Sequence, residues 1–266
     1  MKVAYVQLAP LFGNPTETLN RIEKLRSEFC TADLVVLPEL CNSGYRFDGP
    51  AQARDLAEPV QNSPFINALT RVAQEDNLIL VSGFNELVDD TLHNSAVVIG
   101  PNGHLGTYRK LHLFMDEKDI FAPGNLGLPV FSAGDIKFGV QICFDWIFPE
   151  PWRILALLGC DIIVHPANLV IPGKAQRAIP VHAMLNRIFI ITANRIGTEK
   201  DLTFTGQSII ADPNGQILAQ AESDKSEVAV VDIDPALARD KHATPRNNIF
   251  KDRRSDVYHQ FRFDQS

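Results

Sequence analysis

Long apolar runs are missing from this chain. Its longest largely apolar stretch, Ile188 to Ala193, falls far short of the roughly 20 residues that a membrane-crossing helix needs, so no membrane association is expected. Basic charge is in deficit: 25 Lys and Arg stand against 32 Asp and Glu, a net charge of −7. Gripping a phosphate backbone requires a basic surface, so nucleic acid is not an expected partner. The basic cluster from Arg246 to Arg254, with Lys251 and Arg253, reads first as a solvated tail or subunit ion pairs and second as a polyanion site. Cysteine is sparse. Cys30, Cys41, Cys143 and Cys160 are irregularly spaced, with no CxxC pair and no histidine pair at ligand spacing, so neither zinc nor another metal is expected. Met1-Lys2-Val3 enters a strand with no apolar leader, which predicts no signal peptide, a reducing cytoplasm and free thiols. No Gly/Ser-rich or low-complexity stretch marks a domain boundary.

What is present is material for a core. Hydrophobic residues make up 45% of the 266, enough for one large α/β domain or two small ones. Val3 to Leu8 reads as a strand. Asn14-Pro15-Thr16-Glu17 is a helix start, with Asn as cap, Pro in the first turn and Glu three residues after the cap. Asp33 to Pro38 is a buried strand, Ser63-Pro64 opens a helix, and Leu78 to Ser82 is a strand. Pro101-Asn102-Gly103 signals a hairpin. The second half repeats this grammar. Pro149 to Gly159 reads as a helix with Ile154, Leu155 and Leu158 on one face; Asp161 to Pro166 echoes Asp33 to Pro38; a helix follows from about Ala175 to Arg187, then the strand Ile188 to Ala193. Pro213-Asn214-Gly215 repeats the hairpin signal. Two such halves, stacked sheet to sheet, predict a four-layer α-β-β-α sandwich with pseudo-two-fold internal symmetry. Residues 1–234 then form a single domain, and the polar, Arg-rich stretch 235–266, with Ile249, Phe250, Tyr258 and Phe261, is a tail expected to pack on a partner subunit.

Three segments each end on a reactive side chain. Leu34 to Pro38 delivers Glu39, Gly106 to Arg109 delivers Lys110, and Phe138 to Ile142 delivers Cys143. Strand ends of an α/β protein converge on one rim. A free thiol, with a pKa of roughly 8.5, needs a base or a nearby cation to act as a nucleophile. Glu39 suits the base if it is withdrawn from water, and Lys110, with the Phe144 backbone N–H, suits an oxyanion. Glu117, seven residues beyond Lys110, either holds that lysine or meets a substrate nitrogen. Taken singly each has a plainer reading: Cys143 as a core cysteine, Glu39 as a cap, Lys110 and Glu117 as surface charges, His112 and His165 as satisfied structural groups.

Together the segments Pro38-Glu39-Leu40-Cys41-Asn42-Ser43-Gly44-Tyr45, Tyr108-Arg109-Lys110-Leu111-His112-Leu113-Phe114 and Cys143-Phe144-Asp145-Trp146-Ile147-Phe148-Pro149-Glu150 strongly resemble the nitrilase superfamily of carbon–nitrogen hydrolases, over Met1 to about Arg254. The resemblance implies an α-β-β-α fold, no cofactor, Glu39 as base, Lys110 as oxyanion cation, Cys143 as nucleophile and Glu117 as the family's second glutamate, ahead of Pro123-Gly124. It implies that His165-Pro166-Ala167-Asn168 lines the pocket. Tyr45, Phe144, Trp146, His165 and Asn168 are the candidate substrate-binding residues; Phe148, Leu169 and Ile171 add apolar wall. It also implies a homodimer or higher homo-oligomer built through helices such as Pro149 to Gly159 and Ala175 to Arg187. The expected reaction is hydrolysis of small aliphatic amides to carboxylic acid and ammonia through a thioester. The alternative is the matching reaction on small aliphatic nitriles. N-carbamoyl hydrolysis ranks lower, because the residues after Cys143 depart from the Cys-Asn-Asp-Arg-Arg-Trp pattern of those enzymes. ω-Amidase chemistry ranks lower too, since Ile147 stands where that group carries an arginine. A non-catalytic binding protein on the same fold and an acyl transferase complete the set.

Overall fold

The computed structural model describes residues 1–258. Its first half runs β1 (Lys2–Gln7), α1 (Pro15–Phe29), β2 (Leu34–Val36), α2 (Pro50–Asp55), α3 (Pro64–Asp76), β3 (Ile79–Val88), β4 (Thr91–Gly100), β5 (Gly103–Arg109) and α4 (Glu117–Ile120). The second runs β6 (Val130–Ala133), β7 (Ile136–Val140), α5 (Pro149–Leu157), β8 (Ile162–Ala167), α6 (Lys174–Asn186) and β9 (Phe189–Asn194). It continues through the small hairpin β10 (Thr198–Glu199) and β11 (Leu202–Thr203) to β12 (Ile209–Ala211), β13 (Ile217–Gln220) and β14 (Glu227–Asp232). The helix starts follow their caps: Asn14 Oδ1 accepts the Glu17 N–H at 3.0 Å, and Ser63 Oγ accepts the Ile66 N–H at 3.0 Å.

Two six-stranded sheets form, ordered β14-β1-β2-β3-β4-β5 and β13-β12-β9-β8-β7-β6. Each has three parallel strands at its centre, joined by helical crossovers and flanked by antiparallel strands. This is the internal repeat that the two hairpin signals announce. Side-chain alternation assigns the layers. Along β1 and β2, Val3, Tyr5, Leu34 and Val36 join the core that holds Phe138, Val140 and Ile163 of the other sheet. Ala4, Val6 and Val35 turn the other way, onto Ile22 and Phe29 of α1 and Phe65 and Leu69 of α3. On the far side, Trp152, Leu155 and Ala156 of α5 and Ile179 and Ala183 of α6 cover the second sheet. The result is helices, sheet, sheet, helices.

One detail differs from the sequence reading. On α5 the buried face is Pro151, Trp152, Leu155 and Ala156, while Ile154 and Leu158 are 44% and 50% exposed. The bulk of Trp152 turns the helix, so the apolar residues at 154, 157 and 158 face outward. In the stretch after residue 234, Phe250 packs against its own chain, with the Arg153 guanidinium 5.3 Å and the Lys241 ammonium 4.9 Å from its ring centre. Phe261 lies outside the described residues. No described helix is long and apolar enough to cross a membrane.

Candidate active site

Glu39 sits just past β2 on a seat formed by β3. The Gly83 N–H donates to Pro38 O at 3.0 Å and the Cys41 N–H donates to Gly83 O at 3.1 Å. Any side chain at 83 is barred, because a Cβ there would lie 2.3 Å from the Glu39 Cα. Leu40 takes a left-handed φ of 49°, which turns the chain away and aims the carboxylate into the seam between the sheets. Glu39 is fully buried. Its Oε1 accepts Lys110 Nζ at 2.7 Å and Asn94 Nδ2 at 2.7 Å, whereas Oε2 has no partner among the described residues. From the other sheet, Asn168 Nδ2 donates to Glu39 O at 3.0 Å.

Lys110 follows β5 directly. Its N–H donates to Asn94 O, and its carbonyl accepts the Gly124 N–H, both at 2.8 Å. Gly124 is required by contact, since a Cβ would fall 2.1 Å from Arg109 O. The buried ammonium also donates to Glu117 Oε1 at 2.8 Å. Glu117 accepts the Tyr45 hydroxyl at 2.7 Å and the Phe114 N–H at 3.2 Å. One cation thus serves two buried carboxylates. Burial alone would lower the Lys110 ammonium, but Glu117 and Glu39 hold it above the ordinary lysine range, so it stays charged. Burial raises the Glu117 carboxyl, against the pull of Lys110 and with the help of Glu39. Burial and then the Glu117 charge push the Tyr45 hydroxyl well above its usual range.

Cys143 opens a tight turn after β7, with a left-handed φ of 42°. Asp145 fastens that turn. It accepts the Ile142 N–H at 2.9 Å, the Tyr108 hydroxyl at 2.8 Å, and the N–H and Nδ1 of His112 at 3.1 and 2.7 Å. Tyr108 and His112 flank Lys110, so the nucleophile's turn is tied to the lysine's own segment. Burial and then Glu39 raise the Cys143 thiol well above its ordinary range; Lys110 and the Asn168 N–H offset part of this. The resting thiol is therefore neutral and needs a base. Cys41 is no rival: it lies in the helix-side core of the first sheet, where burial pushes its thiol up to about 12.

A narrow cavity opens on Cys143, lined by Phe114, Phe144, Trp146, Asn168, Leu169, Val170 and Ile171. A larger one shares Phe114 with it and includes Tyr45, Glu117, Asp116 and Leu202. Of the expected pocket residues, Phe144, Trp146, Asn168, Leu169 and Ile171 line the Cys143 cavity. Phe148 does not: its ring stacks on His112 with centres 3.7 Å apart. Tyr45 lines the neighbouring cavity. His165 lines neither, because both ring nitrogens are engaged inside the protein, Nε2 with Cys143 O at 2.9 Å and Nδ1 with Thr192 Oγ1 at 3.1 Å. Among the described residues, no group of three or more His, Cys, Asp or Glu is placed to hold a metal ion.

Sequence reasoning missed Asn94, Asp145, Phe114 and Glu199. Glu199 accepts the Tyr45 and Arg46 N–H groups at 2.8 and 2.9 Å and pairs with buried Arg195 at 2.5 Å, fixing the loop that carries Tyr45. Two of them left a signal: Asp145, two residues after the cysteine inside the third motif, and Phe114, which closes the second.

The carbon-nitrogen hydrolase family matches residues 2–243. A nitrilase of Pyrococcus abyssi is 45% identical over 260 residues, 97% of this chain and 99% of its own length. An (R)-stereoselective amidase of a Pseudomonas species is 36% identical over 261 residues, 96% of this chain and 92% of its own length. Among solved structures, a mutant of the amidase from Nesterenkonia sp. AN1, carrying the acetamide moiety of fluoroacetamide covalently on its active-site cysteine, superposes with a TM-score of 0.81 at 25% identity. The match covers 98% of this chain and 96% of that one.

Proposed function

We propose, from the premise that this chain belongs to the carbon–nitrogen hydrolase family, that it hydrolyses small aliphatic amides to carboxylic acid and ammonia through a thioester on Cys143. The observation that carries this reading is the wholly buried Glu39, whose free Oε2 lies in the same seam as a neutral thiol on an apolar cavity. Cys143 attacks the amide carbon while Glu39 takes the thiol proton. The oxyanion is met by Lys110 Nζ, which spends two of its three N–H groups on Glu39 and Glu117 and keeps one, together with the Phe144 N–H. Collapse expels ammonia with the proton from Glu39. Water, deprotonated by Glu39, then attacks the thioester, and the acid leaves as the thiol is restored. Glu117 holds Lys110 in register and keeps the site's charge near balance. Phe144, Trp146, Leu169 and Ile171 receive the acyl chain.

The relatives support an amide: one is an amidase by name, and the Nesterenkonia amidase takes an acetamide moiety on its cysteine. The nitrile reading is favoured by one specific observation, the 45% identity to a nitrilase. There the same thiol adds to the nitrile carbon and water completes the reaction through a thioimidate. An N-carbamoyl amino acid fits less well, because no residue lining the Cys143 cavity carries the positive charge its carboxylate would seek. The test is ammonia release from short amides and the matching nitriles. Cys143→Ala is expected to release none while keeping its circular dichroism spectrum, and Glu39→Gln to fall at least about a thousandfold. Turnover by either variant near the parent rate would overturn these roles. We also propose that the chain forms a homodimer through the outward apolar residues of α5 and α6: Ile154, Leu157, Leu158, Val181, Met184 and Leu185.

A further inference from the structure

His165 is fully buried yet touches neither cavity. Its hydrogen bonds fix which nitrogen carries the proton. Cys143 O can only accept, so Nε2 is the donor, and Nδ1 then accepts from the Thr192 hydroxyl. The peptide it grips joins Cys143 to Phe144. In a trans peptide the C=O and the N–H lie in one rigid plane and point in opposite directions. Holding the carbonyl end therefore aims the Phe144 N–H at the other end. That N–H lies ahead of the first bond of the turn, from the Asp145 N–H to Ile142 O at 3.0 Å, and so is left for a ligand. The plane gains from such a grip, since Cys143 is held at a φ of 42°, a left-handed conformation that costs a non-glycine residue energy. The grip is itself braced: Trp152 meets the His165 ring edge-on at 5.7 Å and donates its Nε1–H to Asp145 O at 3.2 Å.

We infer that His165 is a positioning residue that orients the Cys143–Phe144 peptide, so that its N–H points at the oxyanion formed when Cys143 attacks. The inference rests on the thiol chemistry proposed above. It assigns no proton transfer to His165 and no contact with substrate.

The measurement compares a reaction that forms an oxyanion with one that does not. In His165→Leu, kcat for butyramide is expected to fall about 10- to 100-fold with KM little changed. The inhibition constant of butyraldehyde, whose adduct with the thiol places an oxygen at the same spot, is expected to weaken in step. Alkylation of Cys143 by iodoacetamide, a displacement at saturated carbon, keeps its rate within about twofold. His165→Gln, which retains an N–H donor, recovers most of the loss. Thr192→Val, which removes only the brace on Nδ1, shows the same pattern at a few-fold and keeps the test available if His165→Leu does not fold. Full activity in His165→Leu, or alkylation slowed as much as hydrolysis, would overturn the inference; the latter would make His165 a prop for the thiol alone. If the parent protein releases ammonia from no amide or nitrile, the proposed function fails. The aldehyde-to-iodoacetamide comparison still decides the role of His165.

Discussion

At the scale of single residues, the site is built by burial that pairing only partly offsets. Glu39, Lys110 and Glu117 are two carboxylates and one ammonium almost wholly withdrawn from bulk solvent. His165 adds a neutral imidazole, pushed by burial from its ordinary 6.5 to about 4. The sign of the consequence is set by linkage. A histidine whose folded pKa lies below its unfolded value binds fewer protons when folded, so its contribution to stability is complete above pH 6.5 and is lost as pH falls towards 4. At about 1.4 kcal/mol per pH unit, the loss is on the order of 3 kcal/mol. Urea midpoints taken from pH 7 down to 4.5 are expected to fall more steeply in the parent than in His165→Gln. Parallel slopes would show that this imidazole does not titrate on unfolding. The residue scale also shows what a linear chain conceals. Glu39 and Cys143 stood out because each ends an apolar run, and Lys110 because it ends a strand inside a recognisable motif; both are local patterns. Asn94 was not: its meaning comes only from β4 lying beside the loop after β2, and nothing within the strand marks it. His165 was misplaced for a related reason. Its neighbour Asn168 lines the Cys143 cavity, but the side of β8 on which the ring stands depends on strand register.

At the scale of elements, the sequence carried most of the order of strands and helices, because caps and hairpin turns are local chemistry. It did not carry the rotation of α5. Apolar residues at 151, 152, 154, 155, 156, 157 and 158 surround that helix, and periodicity cannot choose a face when every face is greasy. The bulk of Trp152 decides, and leaves Ile154, Leu157 and Leu158 outward near Val181, Met184 and Leu185 of α6. Exposed apolar residues gathered on one side are what a second copy would cover. Replacing Leu158 and Leu185 together by Asp is expected to shift the molar mass measured by light scattering from dimer to monomer. An unchanged mass would place the interface elsewhere, or show that none forms.

At the scale of the whole molecule, the halves are sewn together by β14. After β13 the chain crosses back so that β14 pairs with β1, from Lys2 opposite Asp232 to Gln7 opposite Glu227. The halves should therefore unfold as one. Both tryptophans, Trp146 and Trp152, report on the second half, and the buried Cys41 thiol reports on the first. Tryptophan fluorescence and maleimide labelling of Cys41 are expected to share one urea midpoint. Earlier labelling of Cys41 would reveal two independent units.

The seam between the sheets also bears on the time before folding ends. Glu39 and Lys110 come from the first sheet, Cys143 from the second, and Asn168 bridges them. A chain emerging from synthesis carries its sulfur as an ordinary wet thiol, with no proton acceptor at hand and no cation to meet a developing negative oxygen. Chemical competence arrives only when the last layers close. An unfinished molecule is thus spared the power to acylate itself or its neighbours.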